Sequence, residues 1–429
     1  MKQTATRIST YSADVMGVCS ALFELGGMTV MHDASGCNST YTTHDEPRWY
    51  DMDSMVYISG ISEMEAIMGD DEKLAGDIAD AASQLDPAFI AIAGTPVPAM
   101  TGFDFEAVAG LIEQRTGIPC FGYPTTGMNT YIHGASMALA GIAERFAAGR
   151  PGAAAGRDGH APQAARPRVN ILGLTPLDFS VNGQDRSIAE WLESEGFTVV
   201  SKWAMGSSLE ELSRAGEADV NLVVSAAGLG AARVLYESFG TPYAVGVPVG
   251  NELPGLMADN IKIKIKEFRE RRSAGGQAGS FEEAGRGGQA GSFEEAEISV
   301  QSGVFCGGRQ SADGRTYEKG FAAVIGEGVT SLSLASMIEL ERGIPAKVLC
   351  ATECPEDILR ECDRITPDED DIIPELEGAA FVIADPLYRP IVPQGAGFIA
   401  LPHEAFSGRI YRDVIPDLIK DPDAILKQF

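Results

Sequence analysis

The strongest constraint in this sequence is an alternation. From residue 55 to residue 402, short apolar runs take turns with segments of helical periodicity. MVYISG (55–60) precedes DDEKLAGDIADAASQLD (70–86), whose acidic first turn suits the helix dipole. AFIAIAG (88–94) follows, an almost purely apolar run suited to a central parallel strand buried on both faces. FDFEAVAGLIEQRTG (103–117) predicts a helix closed by Gly117, IPCFGYP (118–124) a strand, and GASMALAGIAERFA (134–147) a helix. A second round predicts strands at 169–174, 198–204, 219–228 and 241–250, with helices at 186–196 and 229–240. In a third, strands are expected at 319–328, 344–353, 378–386 and 397–402. Helices are expected there at 330–343, with Thr330 as N-cap, and at 355–365, opened by Pro355. Strands alternating with helices predict the α/β class, with parallel sheets joined by crossover helices.

The breaks between rounds set the expected organisation. Residues 1–148 form a first α/β domain, and 149–168, rich in Gly, Ala, Pro and Arg, form a linker. Residues 169–270 form a second domain. Residues 271–297 form a flexible insertion in which GGQAGSFEEA occurs at 275–284 and again at 287–296. Two copies are too few for a solenoid. Residues 298–405 form a third domain and 406–429 a C-terminal helical tail.

Composition removes several function classes. A formal charge of −28 argues against nucleic-acid binding, which rests on neutralising phosphates. No apolar run reaches the roughly 18–20 residues of a membrane span, and the first fifteen residues lack the apolar core of a signal peptide. The expected location is the cytoplasm. Seven cysteines without a dense framework fit a reducing compartment, where thiols stay available for metal.

Two of those thiols stand out. Cys19 and Cys37 bound CSALFELGGMTVMHDASGC, in which MTVM reads as a buried strand ending near His32. Ser35-Gly36 then reads as a turn presenting Cys37. Both cysteines lie within two residues of a glycine, where the backbone can approach a large inorganic ligand. Thiolates are the usual ligands of iron–sulfur clusters. On spacing alone, two buried free cysteines acting as small hydrophobes remain the simpler reading.

His32-Asp33-Ala34-Ser35-Gly36-Cys37 resembles the His-Gly-x-x-Gly-Cys element of the nitrogenase component 1 family, with Asp33 in place of the usual Gly. Gly69-Asp70-Asp71-Glu72-Lys73-Leu74 resembles the family's Gly-Gly-x-x-Lys-Leu stretch. The resemblance implies three Rossmann-like domains. It implies an iron–sulfur cluster at a subunit interface held by Cys19 and Cys37, with His32 and Gly36 shaping the loop. The family's third cysteine falls on Thr95, a poor iron ligand, so each chain offers two thiolates. Two chains offer the four that a [4Fe–4S] cluster needs. The implied partners are a second copy or a homologous component 1 subunit, and an ATP-dependent iron protein that delivers electrons.

Ser225 falls about where nitrogenase has the cysteine that anchors its active-site cofactor, which argues against a thiolate-anchored cofactor of that kind. His403 lies near the family's cofactor-facing His and has the capacity to ligate a metal or donate a proton. Cys306, in the Gly-rich VFCGGRQ, is a further candidate cofactor contact; a free loop thiol is its plainer reading. The implied function is an oxidoreductase subunit acting on a substrate in the cleft near Ser225, Cys306 and His403. The alternatives are a scaffold or carrier for metallocofactor assembly, and a Rossmann-type small-molecule binder without metal. Cys120 reads as a strand thiol. Cys350, Cys354 and Cys362 are expected not to form a metal site, because strand and helix would hold them in different geometries.

Overall fold

The computed structural model describes residues 12–34, 41, 46–149, 166–274, 320–421 and 423–429. The repeat at 275–296 and most of the linker lie outside these residues. Three parallel sheets organise the rest. The first, in the order β2-β1-β3-β4, is built from β1 (Met28–Met31), β2 (Met55–Ile58), β3 (Ile90–Ala93) and β4 (Cys120–Tyr123). The second, in the order β6-β5-β7-β8, is built from β5 (Arg168–Leu172), β6 (Thr198–Lys202), β7 (Val220–Val223) and β8 (Tyr243–Val245). The third, in the order β11-β10-β9-β12-β13, is built from β9 (Phe321–Gly326), β10 (Ala346–Cys350), β11 (Arg364–Ile365), β12 (Ala379–Ala384) and β13 (Gly397–Ala400). All the recorded pairings are parallel. β1, β3, β5 and β7 sit inside their sheets, and the apolar runs of β1, β3 and β7 are buried at every position. That is why they read as continuous rather than alternating.

The helices of the first unit are α1 (Asp14–Leu22), α2 (Glu63–Met68), α3 (Asp71–Leu85), α4 (Pro96–Thr101), α5 (Phe105–Thr116) and α6 (Tyr131–Phe146). Their ends follow side-chain chemistry. Asp104 accepts from Ala107 N at 3.0 Å to open α5, and Gly117 closes it at φ 72°. Ser62 and Glu65 form a reciprocal capping box at α2. In the second unit come α7 (Pro176–Phe179), α8 (Gln184–Ser194), α9 (Leu209–Ser213), α10 (Leu229–Phe239) and α11 (Leu253–Ala274), and in the third α12 (Gly328–Arg342).

One continuous apolar cluster runs through all three units. It takes in Leu22 of α1, Leu139 of α6, Leu222 of β7, Ile261 of α11, Val324 of β9 and Leu332 of α12. Two smaller clusters cover the outer faces of the first and third sheets. α1 and α6 cross at two glycines. A Cβ on Gly17 would lie 1.9 Å from Tyr131 O, and one on Gly134 would lie 1.8 Å from Asp14 O. No other residue lets these backbones come so close.

Three expectations are corrected. α12 is capped by Glu327, which accepts from Val329 N at 3.0 Å and Thr330 N at 2.8 Å, so Thr330 lies inside the helix. Residues 355–365 hold a single 3-10 turn, Glu356–Ile358, and then strand β11. Asp363, buried, accepts from Val348 N and from Arg360, which pulls the segment onto the sheet instead of letting it coil. Residues 406–429 are mostly turns, with short helices at Glu404–Ser407 and Asp423–Leu426, and not a helical tail. Hydrogen bonds between α8 and this segment, Ser187 to Asp417 and Leu418 N to Gln184, hold it against the second unit.

Candidate functional site

In open parallel sheets, ligand sites form outside the carboxyl ends of strands where the strand order reverses direction. In the second sheet this point lies between β5 and β7. In the third it lies between β9 and β12. These two edges face one another. Ala226 N, just past β7, donates to Glu327 Oε1 at 2.9 Å, just past β9.

The group at the centre is Asp178, in α7 beyond the end of β5, with a fully buried side chain. Its Oδ2 accepts from Ser225 Oγ at 2.6 Å and from Thr175 Oγ1 at 2.8 Å. Its Oδ1 accepts from the Tyr131 hydroxyl, at the start of α6. Burial, and next the Asp178 charge, push the Tyr131 phenol well up, so it remains a proton donor. The first unit, through α6, and the ends of the second and third sheets therefore contribute to one buried carboxylate or its neighbour.

His403 completes the cluster from the loop after β13. Its Nδ1 accepts from Ala405 N at 3.3 Å, which leaves the proton of the neutral ring on Nε2. That Nε2 is buried, has no hydrogen-bond partner among the described residues, and lies 3.5 Å from Asp178 Oδ1. Asp385, at the end of β12, fixes the loop by accepting from His403 N at 2.8 Å and Ser407 Oγ at 2.7 Å. Glu327 is 1 % exposed. Burial, and then the Asp178 charge, push it up to about 7 against the pull of three backbone N–H groups.

The first sheet builds a separate site. His32 follows β1 and Thr95 follows β3, the two strands flanking its reversal point. Thr95 Oγ1 bonds His32 O at 2.9 Å and Asp33 Oδ1 at 3.1 Å, so it ties the strand ends together. His32 Nδ1 pairs with Ser59 Oγ at 2.9 Å, and its ring packs on Phe103. Burial pushes His32 down to about 4, so it is neutral at pH 7. Asp33 is not at positive φ, and the departure from Gly costs no left-handed strain there. A cavity of about 510 Å³ opens beside His32 and is lined by Lys73 and Leu74 of the Gly69–Leu74 stretch.

Cys19 lies on α1 and is fully buried. Burial and then Glu46 hold its thiol up, so it is protonated when no metal is bound. Glu46 is held in turn by Arg48, which also bonds Glu24, Ser20 O and Ala204 O. Cys19 is the right donor type for an iron–sulfur cluster. Gly36, Cys37 and Cys306 lie outside the described residues. Among the described residues no three His, Cys, Asp or Glu side chains are placed to hold a metal. Around Asp178 the polar groups are hydroxyls, carboxylates and an imidazole, with Ser225 Oγ already bonded to Asp178. This set does not fit a thiolate-anchored cofactor at Ser225.

The structure thus brings Ser225 and His403 together around Asp178 and places His32 and Thr95 at the first sheet's edge. Asp178, Tyr131 and Glu327 are not recognisable as site residues in the sequence. Asp178 has one usable signal, its place just beyond the strand 169–174. Glu327 lies in a GEG turn that shows only small residues.

Residues 14–253, more than half of the chain, match the family described as nitrogenase component 1 type oxidoreductase, and the chain belongs to that family. It is similar to one of the subunits of the light-independent protochlorophyllide reductase of Prosthecochloris aestuarii, 42% identical over 110 residues, or 25% of this chain and 20% of that protein. It is also similar to the nitrogenase iron-molybdenum cofactor biosynthesis protein NifE of Klebsiella pneumoniae, 26% identical over 198 residues, or 44% of this chain and 41% of that protein. The matches thus span well under half the length of these relatives. The fold of a solved structure, nitrogenase Cp1 at pH 6.5, is shared at a TM-score of 0.63 and 16% identity, covering 100% of this chain and 93% of that one. No helix among the described residues is long and apolar enough to cross a membrane.

Proposed function

We propose that this chain is a redox subunit that pairs with a second copy or a homologous component 1 subunit, works in the cytoplasm, and reduces a substrate held in the cleft by Ser225, His403 and Cys306. Cys19 and Cys37 of each of two chains would hold a [4Fe–4S] cluster at the interface, with His32 and Gly36 shaping its loop. That cluster would supply low-potential electrons received from an ATP-dependent iron protein. The observation that carries the reading is His403, whose Nε2 proton has no hydrogen-bond acceptor within the described fold. A substrate in the cleft would take that proton, and Asp178 would stabilise the ring by its charge. Tyr131, Thr175 and Ser225 hold Asp178 in place. Thr95 ties the ends of β1 and β3 together and would donate no ligand.

A second reading is a scaffold for metallocofactor assembly, and a specific observation favours it. The match to the cofactor biosynthesis protein covers a larger share of this chain than the match to the protochlorophyllide reductase. The cleft also has no free thiol at Ser225 to anchor a resident cofactor. Mixing the anaerobically purified protein with an ATP-dependent iron protein separates the two. ATP-driven reduction that stops in His403→Ala, with the protein's iron content unchanged, supports the redox reading. Release of a metal cluster to an acceptor protein, with no ATP-driven reduction, supports the scaffold.

A further inference from the structure

The sequence predicts that strand and helix hold Cys350 and Cys354 in different geometries, but no α-helix follows Cys354 directly and the fold brings the two together. Cys350 ends β10, and Ala351-Thr352-Glu353 lead to Cys354. A Cβ on Gly328 would lie 2.6 Å from Cys354 Sγ and 3.4 Å from Cys350 Sγ, so both sulfurs crowd the start of α12. Both sulfurs therefore crowd the same point of the backbone, and both belong to free cysteines. The arrangement depends on glycine at 328, since any side chain there would displace a sulfur. Among the described residues no third ligand joins the pair to make a metal site. Nearby Glu327 is already engaged by three backbone N–H groups. The chemistry left to two adjacent thiols is with each other.

We propose that Cys350 and Cys354 are an oxidisable dithiol that closes to a disulfide when a small peroxide reaches the cleft. Cys354, 8 % exposed against 0 % for Cys350, is the sulfur that reacts first. Its sulfur breaks the peroxide O–O bond and becomes a sulfenic acid, releasing one water. Cys350 then displaces the hydroxyl as a second water. Two thiols and one hydrogen peroxide give one disulfide and two waters. The hydrogen bond with Cys350, then burial, push the Cys354 thiol up, so it is held protonated and slow toward peroxide, and oxidation requires the loop to open first.

The same loop carries a latch. The Glu353 carboxylate accepts from Thr130 N at 3.0 Å and from the Thr130 hydroxyl at the N-cap of α6. The next residue, Tyr131, bonds Asp178. Drawing Cys354 onto Cys350 shifts Glu353 and loosens the first turn of α6, so the thiol state is coupled to the centre of the cleft. This inference does not depend on a cluster being bound.

The test treats the full-length protein with hydrogen peroxide, quenches it in denaturant with an alkylating agent, and digests it with trypsin. Lys347 and Arg360 place both thiols in one peptide, residues 348–360. The expected product is lighter by two hydrogens and takes up alkylating agent only after reduction. Cys350→Ser should instead stop at a sulfenic acid on Cys354 that dimedone traps. Hydrogen exchange should speed up in the first turn of α6 in the oxidised wild type and not in the treated Cys354→Ser. A peptide that is still doubly alkylated after peroxide overturns the dithiol. A disulfide without any change at α6 overturns its link to the cleft.

Discussion

At the scale of single residues, the cleft depends on Asp178. One carboxylate accepts hydrogen bonds from the hydroxyls of Tyr131, Thr175 and Ser225. Asp178→Asn leaves buried hydroxyls short of an acceptor, and we expect a loss of about 2–4 kcal/mol in urea unfolding. Two buried groups, one in each site, set opposite pH slopes. His32 is neutral in the fold down to about 4, whereas in the unfolded chain it takes up a proton from about 6.5. Between those values the unfolded state binds more protons, so stability falls as pH falls through that window. Glu327 holds its proton up to about 7, while the unfolded carboxyl ionises from about 4.5. Its contribution is full below that lower value and is lost as pH rises through the upper one. Glu327→Gln should therefore cost more at pH 4.5 than at pH 7, read from urea midpoints at the two values. The opposite order would contradict the assignment.

At the scale of elements, the helix crossing of α1 on α6 links the two sites. α1 carries Cys19, and α6 opens with Tyr131. Gly17→Ala would drive a methyl group into Tyr131 O, and we expect about 3 kcal/mol of destabilisation or more. Calorimetry would show it as a lowered Tm, and Tyr131 would lose its bond to Asp178. The β and α segments themselves are largely legible in the sequence, because buried parallel strands read as unbroken apolar runs. α1 is not, since VMGVCSAL has no polar stripe and is buried on every side. The cap of α12 is hidden because Thr330 is the better capping residue by type, yet Glu327 also closes the gap to the second sheet. The 355–365 segment carries a helical pattern, and tertiary hydrogen bonds to Asp363 override it.

At the scale of the whole molecule, Arg48 fastens the first unit to the second. It bonds Ser20 O at the end of α1 and Ala204 O in the loop after β6, with Glu24 and Glu46 balancing its charge. Ala204 sits at φ 94°, a conformation that costs free energy and persists only where its surroundings fix it. Arg48→Ala leaves Glu46 buried without its partner and should cost about 3–5 kcal/mol. Hydrogen exchange should then show α1 and the 203–206 loop losing protection together. The order of strands and the facing of the two carboxyl edges are not legible in the sequence, because both arise from contacts between residues distant in the chain, such as Met28 with Ile90 and Ala226 with Glu327. Ser225 and His403 are recognisable by family pattern, but Asp178, which joins them, follows from topology alone.

The central claim is that Cys19 and Cys37 hold an iron–sulfur cluster shared between two chains. Its most direct test is the iron and sulfide content of the anaerobically purified dimer, with an EPR spectrum after reduction, for the wild type and for Cys19→Ser and Cys37→Ser. About four irons per dimer and a reduced-cluster signal, both lost in each variant while the fold persists, is the expected result. Wild-type protein without iron even when co-expressed with a component 1 partner, or iron that survives both substitutions, would contradict it.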